Sequence, residues 1–293
     1  MNRLNRAKVW IPLLLLALTA MSLPAFGQAD FAGVWNGLAN EDKEPRDPWV
    51  GEYAGIPLSE AGKMRANTWA ASQWLLPVWQ CRPHPIGYWG RSPHNILVQT
   101  EINPTTREVA AFHVQMGESI ETIIYMDGRP HPSENALHTW NGFSTGEWVG
   151  DTLKITTTHL KESYIRRNGV VYSDQATMTQ YWMRRGDVVS WIQVTNDPVY
   201  LTEPFVRNSE FRLNPRGFQG TDECVTAQEA DFARGEVPSF FPGENPSLKE
   251  YSEQFESPYE ANQGGAETMY PDYRERLRAA GGVRVPAKKF TNK

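Results

Sequence analysis

The chain has 293 residues, of which 22% are charged, and its formal net charge is −5 at neutral pH. An acidic chain without a basic stripe repels phosphate backbones, which argues against nucleic acid as a partner. Eleven Trp and eleven Tyr, together with 23 Gly, 21 Pro and few long helical patterns, predict an all-β body with substantial loops.

The first 27 residues have the pattern of a secretory signal. Three basic residues precede the 13-residue apolar stretch Val9–Met21, and Ala25 and Gly27 occupy the −3 and −1 positions of a cut before Gln28. This stretch is too short to span a bilayer comfortably, although an uncleaved membrane anchor is the alternative. We expect a periplasmic or secreted protein with no stable membrane span after cleavage. Its charge is then −8, because the signal carries three Lys/Arg and no acid.

Only two cysteines, Cys81 and Cys224, are present, and both fall in the exported part. Two cysteines in an oxidising compartment usually pair, so we expect a disulfide, with two separate buried thiols as the alternative. No Cys-x-x-Cys, Gly-x-Ser-x-Gly, phosphate-loop or dinucleotide pattern occurs. We therefore predict no cofactor and no standard serine hydrolase.

Taken in order, the chain predicts a first strand at 30–38, a charged loop at 40–57, a helix at 58–74 and an ordered aromatic loop at 77–93. Eight more strands are then predicted at 96–102, 108–115, 120–126, 143–149, 152–159, 176–184, 188–195 and 205–213. Gly–Asp pairs join two hairpins among them. Nine strands in sequence-adjacent pairs favour an antiparallel meander that closes on itself, since closure removes exposed edges.

The segment Gly33-Val-Trp35 on the first strand, ahead of meandering strands, resembles the lipocalin signature. In that fold the Trp closes one barrel end and often packs under an Arg from a late strand. The resemblance implies that Arg207 or Arg212 has this role here.

A longer resemblance involves Ile124–Pro132 (Ile-Tyr-Met-Asp-Gly-Arg-Pro-His-Pro), Gly146–Leu153 with its Gly-x-Trp-x-Gly-Asp-Thr-Leu pattern, and Asn196-Asp-Pro198. These segments look like a family of uncharacterised exported bacterial proteins over about residues 30–225. The resemblance implies a lipocalin-like barrel and no particular reaction.

The predicted fold is mainly β: an antiparallel lipocalin-like barrel of about 8–10 strands with a few peripheral helices and long loops. We divide the chain into a signal peptide at 1–27, a barrel domain at 28–225 and a C-terminal extension at 226–293 that wraps the barrel. The barrel domain carries a helix and loop insertion at 40–95.

The loop Asp127-Gly-Arg129-Pro-His131-Pro is the main candidate site, and we expect it at the barrel mouth. Two prolines stiffen the backbone around His131, which titrates near neutral pH and suits acid–base work. Arg129 suits two-point contact with a carboxylate or phosphate. His138 can meet His131 across the loop. The alternative is a Pro-locked turn with an internal Asp127–Arg129 ion pair.

The aromatic strands predict a lumen that either holds a ligand or is packed solid. Seven Trp residues are candidates to line it: Trp35, Trp79, Trp89, Trp140, Trp148, Trp182 and Trp191. Polar strand residues (His113, Gln115, Gln180 and Gln193) favour a wet or ligand-filled lumen, because unpaired polar groups are costly in a sealed core.

The leading functional prediction is an exported barrel that binds an apolar or mixed-polarity small molecule. Its predicted ligand-binding residues are Arg129, His113, Trp140, Trp148, Trp191 and Tyr125. The alternative is an enzyme of lyase, isomerase or hydratase type, with His131 or His138 as base and Asp127 or Arg129 as its partner. A third possibility is an interaction protein whose aromatic loops and tail form a protein-binding surface.

No metal site is predicted, because the six histidines show no His-x-x-x-His or His-Glu-x-x-His spacing. Several acids lie near the candidate loop: Glu118, Glu121, Glu134 and Glu147. No spacing among them marks a catalytic carboxylate pair.

Overall fold

The computed structural model describes seven parts of the chain: residues 28–38, 48–70, 84–90, 95–117, 121–217, 235 and 239–279. The proposed signal at 1–27, both cysteines and Trp79 lie outside the described residues. Export and the Cys81–Cys224 disulfide therefore stay predictions.

The described residues form a closed barrel of nine strands, which confirms the predicted mainly β fold of eight to ten strands with peripheral helices. All eleven strands in chain order are β1 Gly33–Gly37, β2 Ile96–Ile102, β3 Val109–Met116, β4 Thr122–Tyr125, β5 Phe143–Val149, β6 Thr152–Thr158, β7 Ser163–Tyr164, β8 Val171–Tyr172, β9 Thr177–Arg185, β10 Val188–Asn196 and β11 Phe205–Leu213. Neighbours around the barrel run β1-β11-β10-β9-β6-β5-β4-β3-β2, and β7 and β8 pair separately.

One neighbouring pair departs from the predicted antiparallel meander. β4 and β5 are parallel, with only Ile124 opposite Ser144 and Tyr125 opposite Thr145, while the other barrel pairs are antiparallel. Parallel neighbours need a crossover, because the chain must return to the end from which it started. Residues 126–142 make that return, so the loop predicted as the site is the crossover, and it borders the shortest pairing in the barrel wall.

Alternation along the strands decides which side chains face the lumen. In β10 and β6 every second residue is buried, so Trp191, Gln193 and Ile155 point inward. In β3 the buried residues include Phe112 and Val114. His113 between them therefore lies on the outer face and is not one of the polar strand residues that face the lumen.

One end of the lumen is filled with aromatic rings. Trp182 and Trp191 lie 4.6 Å apart between ring centroids, and Phe31 and Phe211 pack beside them. The void left among these residues is about 10 Å³, which is room for about one water molecule. The indole N–H groups of Trp182 and Trp191 are buried without a partner among the described residues, and a water molecule in this void would accept hydrogen bonds from them.

The other end of the lumen is filled by the chain itself. The short helix α1, Ile86–Trp89, is buried throughout, and its Trp89 ring lies 6.1 Å from that of Trp191. Gln193 donates a hydrogen bond of 3.0 Å to the Gly87 carbonyl, and the Ser209 hydroxyl donates to the Gly90 carbonyl. The inward polar residues thus bind a plug made of residues 84–90, and the described residues do not form the predicted ligand-filled lumen.

Close packing explains why the plug contains Gly87. A Cβ at this position would lie 2.4 Å from a ring carbon of Tyr172 and 2.7 Å from the methyl carbon of Met178. Both neighbours are fully buried, so neither has free space into which it can move.

Trp35 has the structural role that the lipocalin resemblance implies, but with a different arginine. Its indole donates to the Phe31 carbonyl at 2.9 Å, and the Arg184 guanidinium stands 5.1 Å from its ring centroid. The expectation of Arg207 or Arg212 is wrong. Arg207 faces inward, where it stands over Phe205 and donates to the Ile165 carbonyl.

The other described helices lie outside the barrel. α2 covers Glu60–Asn67, shorter than predicted, and Ser59 caps it by accepting from the Gly62 N–H. The C-terminal part contains α3 Glu250–Phe255, α4 Tyr259–Asn262 and α5 Pro271–Ala279, with 3₁₀ turns at Pro246–Lys249 and Ala266–Met269. The side chain of Asn245 donates to the carbonyls of Asn67 and Trp69, so this extension packs against residues 48–70.

No helix within the described residues combines the length and the apolar character that crossing a membrane requires.

Candidate functional site

The crossover lies against the outer face of the barrel rather than at the predicted mouth. His131 Nε2 is 2.8 Å from the Thr145 hydroxyl, and His131 Nδ1 is 2.7 Å from the Thr158 hydroxyl. These threonines alternate with Ser144 and Thr157, which are buried and face inward. His131 therefore packs on the outside of β5 and β6.

Asp127 and Arg129 bind each other. Arg129 Nε lies 2.9 Å and 3.0 Å from the two carboxylate oxygens of Asp127, and its Nη2 lies 2.6 Å from one of them. The hydrogen bonds from Arg129 hold the pKa of Asp127 below its usual range. The same guanidinium stacks on the Tyr125 ring at 3.7 Å. This is the Pro-locked turn with an internal ion pair that the sequence offers as the alternative. Arg129 makes its two-point contact with the Asp127 carboxylate of the same loop.

A chain of hydrogen bonds fixes the histidine tautomers. The Ser133 carbonyl can only accept, so His159 Nε2 donates to it at 2.8 Å, and His159 Nδ1 accepts from the Thr158 hydroxyl at 2.7 Å. Thr158 then accepts from His131 Nδ1, which leaves His131 Nε2 to accept from the Thr145 hydroxyl. Burial, followed by the charge of His159, lowers the pKa of His131.

The pair that the enzyme alternative requires is not assembled among the described residues. Both ring nitrogens of His131 are engaged by threonine hydroxyls, and both carboxylate oxygens of Asp127 are engaged by Arg129. His138 donates through Nδ1 to the Leu160 carbonyl at 2.8 Å, and its ring centroid lies 5.4 Å from that of His159. A general base needs reach to a substrate proton and a partner that orients it. Asp127 orients neither histidine here.

His113 belongs to a different charge network on the outer face. Its Nδ1 lies 2.9 Å from Glu121 and its Nε2 lies 3.0 Å from Glu101. The hydrogen bond to Glu121, followed by the one to Glu101, raises the pKa of His113. No group of three or more His, Cys, Asp or Glu side chains in the described ranges could hold a metal ion.

Beside this network a cleft opens where β4 and β5 separate. Its volume is about 320 Å³. The described lining residues are Glu121, Thr122, Ile123, Tyr125, Thr139, Trp140, Asn141, Gly142, Phe143 and Ser144. We call this space the wall cleft. The cleft exists because β4 and β5 pair at only two positions, Ile124–Ser144 and Tyr125–Thr145. The residues that precede these positions in the two strands line the cleft.

The wall cleft combines aromatic walls with hydroxyl groups. Tyr125 and Phe143 stack at 5.3 Å between ring centroids, and Trp140 adds a third ring to the lining. Thr122 is only 4% exposed, and its hydroxyl has no hydrogen-bond partner among the described residues. The Ser144 hydroxyl is satisfied by Thr157 at 2.8 Å. An apolar surface with one unsatisfied buried polar group is typical of a small-molecule site.

The predicted ligand-binding residues separate into two groups. Tyr125 and Trp140 line the wall cleft, while Arg129 covers Tyr125 and His113 binds Glu121 at its edge. Trp148 and Trp191 belong instead to the packed interior, where Trp148 stacks on Phe31 at 5.9 Å and Trp191 is buried.

Sequence reasoning identified Tyr125 and Trp140 among the ten described lining residues and missed the other eight, of which four are Glu121, Thr122, Phe143 and Ser144. Each lies in or beside the first two residues of β4 or β5, and only the parallel pairing brings those two strand starts together. Local alternation carries no signal for such a pairing.

A scan against protein-family models, a search of curated proteins and a search of solved structures each found no match for this chain.

Proposed function

We propose that this protein is an exported barrel that binds a small molecule of mixed polarity in the wall cleft. One observation carries the proposal: a cleft of about 320 Å³ is lined by three aromatic side chains beside polar residues. Export rests separately on the signal-like pattern of residues 1–27.

Size supports the cleft over the lumen. Small-molecule pockets span roughly 300–1,000 Å³, and the wall cleft falls at the lower end of that range. The void inside the aromatic end of the lumen is about 10 Å³. A one- or two-ring molecule fits the first space and cannot enter the second without displacing side chains.

The polar lining supports the same choice. Glu121, Thr139 and Asn141 line the cleft beside the aromatic residues. The aromatic rings of Trp140, Tyr125 and Phe143 supply the apolar contact. Together they favour a ligand with a flat or hydrocarbon body and at least one polar group.

The enzyme alternative has no such support. The rigid loop of Asp127 and His131 has its polar atoms bound to its own chain, and no catalytic pair is formed there among the described residues.

Replacing Trp140 with Ala tests the proposal. We expect the affinity for neutral 3-methylindole, measured by isothermal titration calorimetry, to fall about tenfold or more, because a half-buried ring that contributes one wall of the cleft is lost. Trp49→Ala is the matched control, since Trp49 is a partly exposed Trp that packs on Phe255 away from the cleft. Equal affinity in all three proteins, or no binding by the wild type, would contradict the proposal.

A further inference from the structure

The charged residues around the wall cleft indicate the charge of its ligand, which the volume of the cleft does not. We infer that its ligand is a cationic amine on an aromatic or hydrocarbon body, with Glu121 as the counter-ion. The inference rests on the proposed function, because it assigns a ligand class to the same cleft.

Glu121 is the only charged residue among the described residues that line the cleft. Glu121 and Glu101 bind the same histidine: His113 Nδ1 lies 2.9 Å from Glu121, and His113 Nε2 lies 3.0 Å from Glu101. Two carboxylates and one imidazole carry a net charge of −1 when His113 is protonated and −2 when it is neutral. The edge of the cleft is therefore negative in either protonation state, which disfavours an anionic ligand.

The nearest cations do not cancel this charge inside the cleft. Arg129 is held by both carboxylate oxygens of Asp127, and the two form a neutral pair. Lys161 is exposed, and its ammonium lies 5.0 Å from the centroid of the Trp140 ring. Neither Arg129 nor Lys161 is among the lining residues.

The positions of Arg129 and Lys161 show that the aromatic rings of the cleft bind cations. The Arg129 guanidinium lies 3.7 Å from the Tyr125 centroid, and the Lys161 ammonium lies over Trp140. The faces of aromatic rings carry negative electrostatic potential, so they bind cations from the protein and from ligands alike. The Tyr125 ring already carries Arg129 and stacks on Phe143 at 5.3 Å, so Trp140 is the cleft ring placed to contact a ligand amine.

Glu121 supplies the polar contact that an ammonium group needs. A primary ammonium is a charged donor, so it can bind the Glu121 carboxylate while its apolar body lies against the aromatic lining. A methyl group in place of the ammonium cannot donate to Glu121, and a carboxylate would be repelled by it.

Three indole probes distinguish the ligand classes on the full-length exported protein: tryptamine as the cation, 3-methylindole as the neutral body and indole-3-acetate as the anion. We expect calorimetry to give the order tryptamine, 3-methylindole, indole-3-acetate from tightest to weakest. In Glu121→Gln the affinity for tryptamine should fall about fivefold, the size of one partly exposed charge pair, while the affinity for 3-methylindole stays the same.

Glu101→Gln is the matched control, since Glu101 also binds His113 but does not line the cleft. It should change the affinity for tryptamine less than Glu121→Gln does. Equal affinities for tryptamine and 3-methylindole, no effect of Glu121→Gln, or tightest binding of indole-3-acetate would overturn the ligand class. The proposed function would survive those results as long as Trp140→Ala still weakened 3-methylindole. If the wild type bound none of the probes, both would fail.

Discussion

The barrel encloses two spaces of opposite construction, the lumen and the wall cleft. The lumen is closed by stacked rings at one end and by residues 84–90 at the other, and the void among the rings is about 10 Å³. The wall cleft is about 320 Å³ and keeps a buried hydroxyl unsatisfied among the described residues. In this barrel the interior stabilises the fold, and the space suited to a ligand lies where one parallel strand pair interrupts the wall.

The difference lies in the space beside the unpaired polar groups of each region. In the lumen Gln193 and Ser209 donate to carbonyls of the plug, while the indole N–H groups of Trp182 and Trp191 have no partner among the described residues. The void among those rings has room for only about one water molecule. Of the two spaces, only the cleft is large enough for a small organic molecule.

The largest effect on stability should come from disrupting the aromatic packing inside the lumen. Trp191→Ala removes a ring that is only 1% exposed and packs against Trp89 and Trp182, so the free energy of unfolding should fall by about 3–5 kcal/mol. Urea denaturation followed by circular dichroism measures this loss.

The cavity left by Trp191→Ala has the shape of 3-methylindole and would itself bind this probe, so affinity is measured in Trp191→Phe. That variant should bind 3-methylindole as tightly as the wild type, because Trp191 does not line the cleft. Trp191→Phe is a milder variant that keeps more of the packing and remains folded if Trp191→Ala does not. Loss of binding by folded Trp191→Phe would show that the lumen is the site, contrary to the comparison.

A smaller effect of the opposite sign is expected in the cleft. Thr122→Val keeps the side-chain shape and removes the unsatisfied hydroxyl, so the free energy of unfolding should stay the same or rise by up to about 1 kcal/mol. A fall in stability, measured by urea denaturation, would mean that Thr122 already has a partner within the protein.

The smallest effects on stability come from two histidines on the outer face, His131 and His113. Their contributions to the free energy of unfolding change with pH in opposite directions. The pKa of His131 is lowered from its ordinary value of 6.5, chiefly by burial, so its stabilising contribution is complete above pH 6.5 and is lost as the pH falls through the folded-state value. The pKa of His113 is raised by Glu121 and Glu101. Its contribution is therefore complete below pH 6.5 and is lost as the pH rises through the folded-state value.

Unfolding free energies between pH 5 and pH 8 should separate the two contributions. His131→Asn should reduce the loss of stability on the acid side, and His113→Asn should reduce the loss on the alkaline side. Identical pH profiles for the wild type and both variants would contradict the assigned environments.

Local signals predicted the strands well. The strands at 96–102, 143–149 and 205–213 were predicted with the bounds that the structure has, because alternating apolar residues and turn residues between strands are encoded within a few positions. The strands β7 and β8 were missed, since two residues are too short for any periodicity.

The site was harder to predict, because it depends on contacts between distant segments. Alternation alone does not say which face is inward, so the sequence left open whether Phe112 or His113 faces the lumen, and the structure places Phe112 there. Nothing local marks residues 84–90 as a plug or pairs β4 in parallel with β5. Tyr125 and Trp140 were predicted as ligand contacts from aromatic character, whereas Glu121 and Thr122 required the pairing to be known.

Fluorine NMR on protein labelled with 5-fluorotryptophan tests most directly whether the ligand occupies the wall cleft. Each indole gives its own resonance, and Trp→Phe variants assign those of Trp140 and Trp191. On titration with 3-methylindole or tryptamine the Trp140 resonance should shift and saturate, while that of Trp191 stays in place. A saturating shift at Trp191 with none at Trp140 would place the ligand in the lumen, and no shift at either would contradict binding in this barrel.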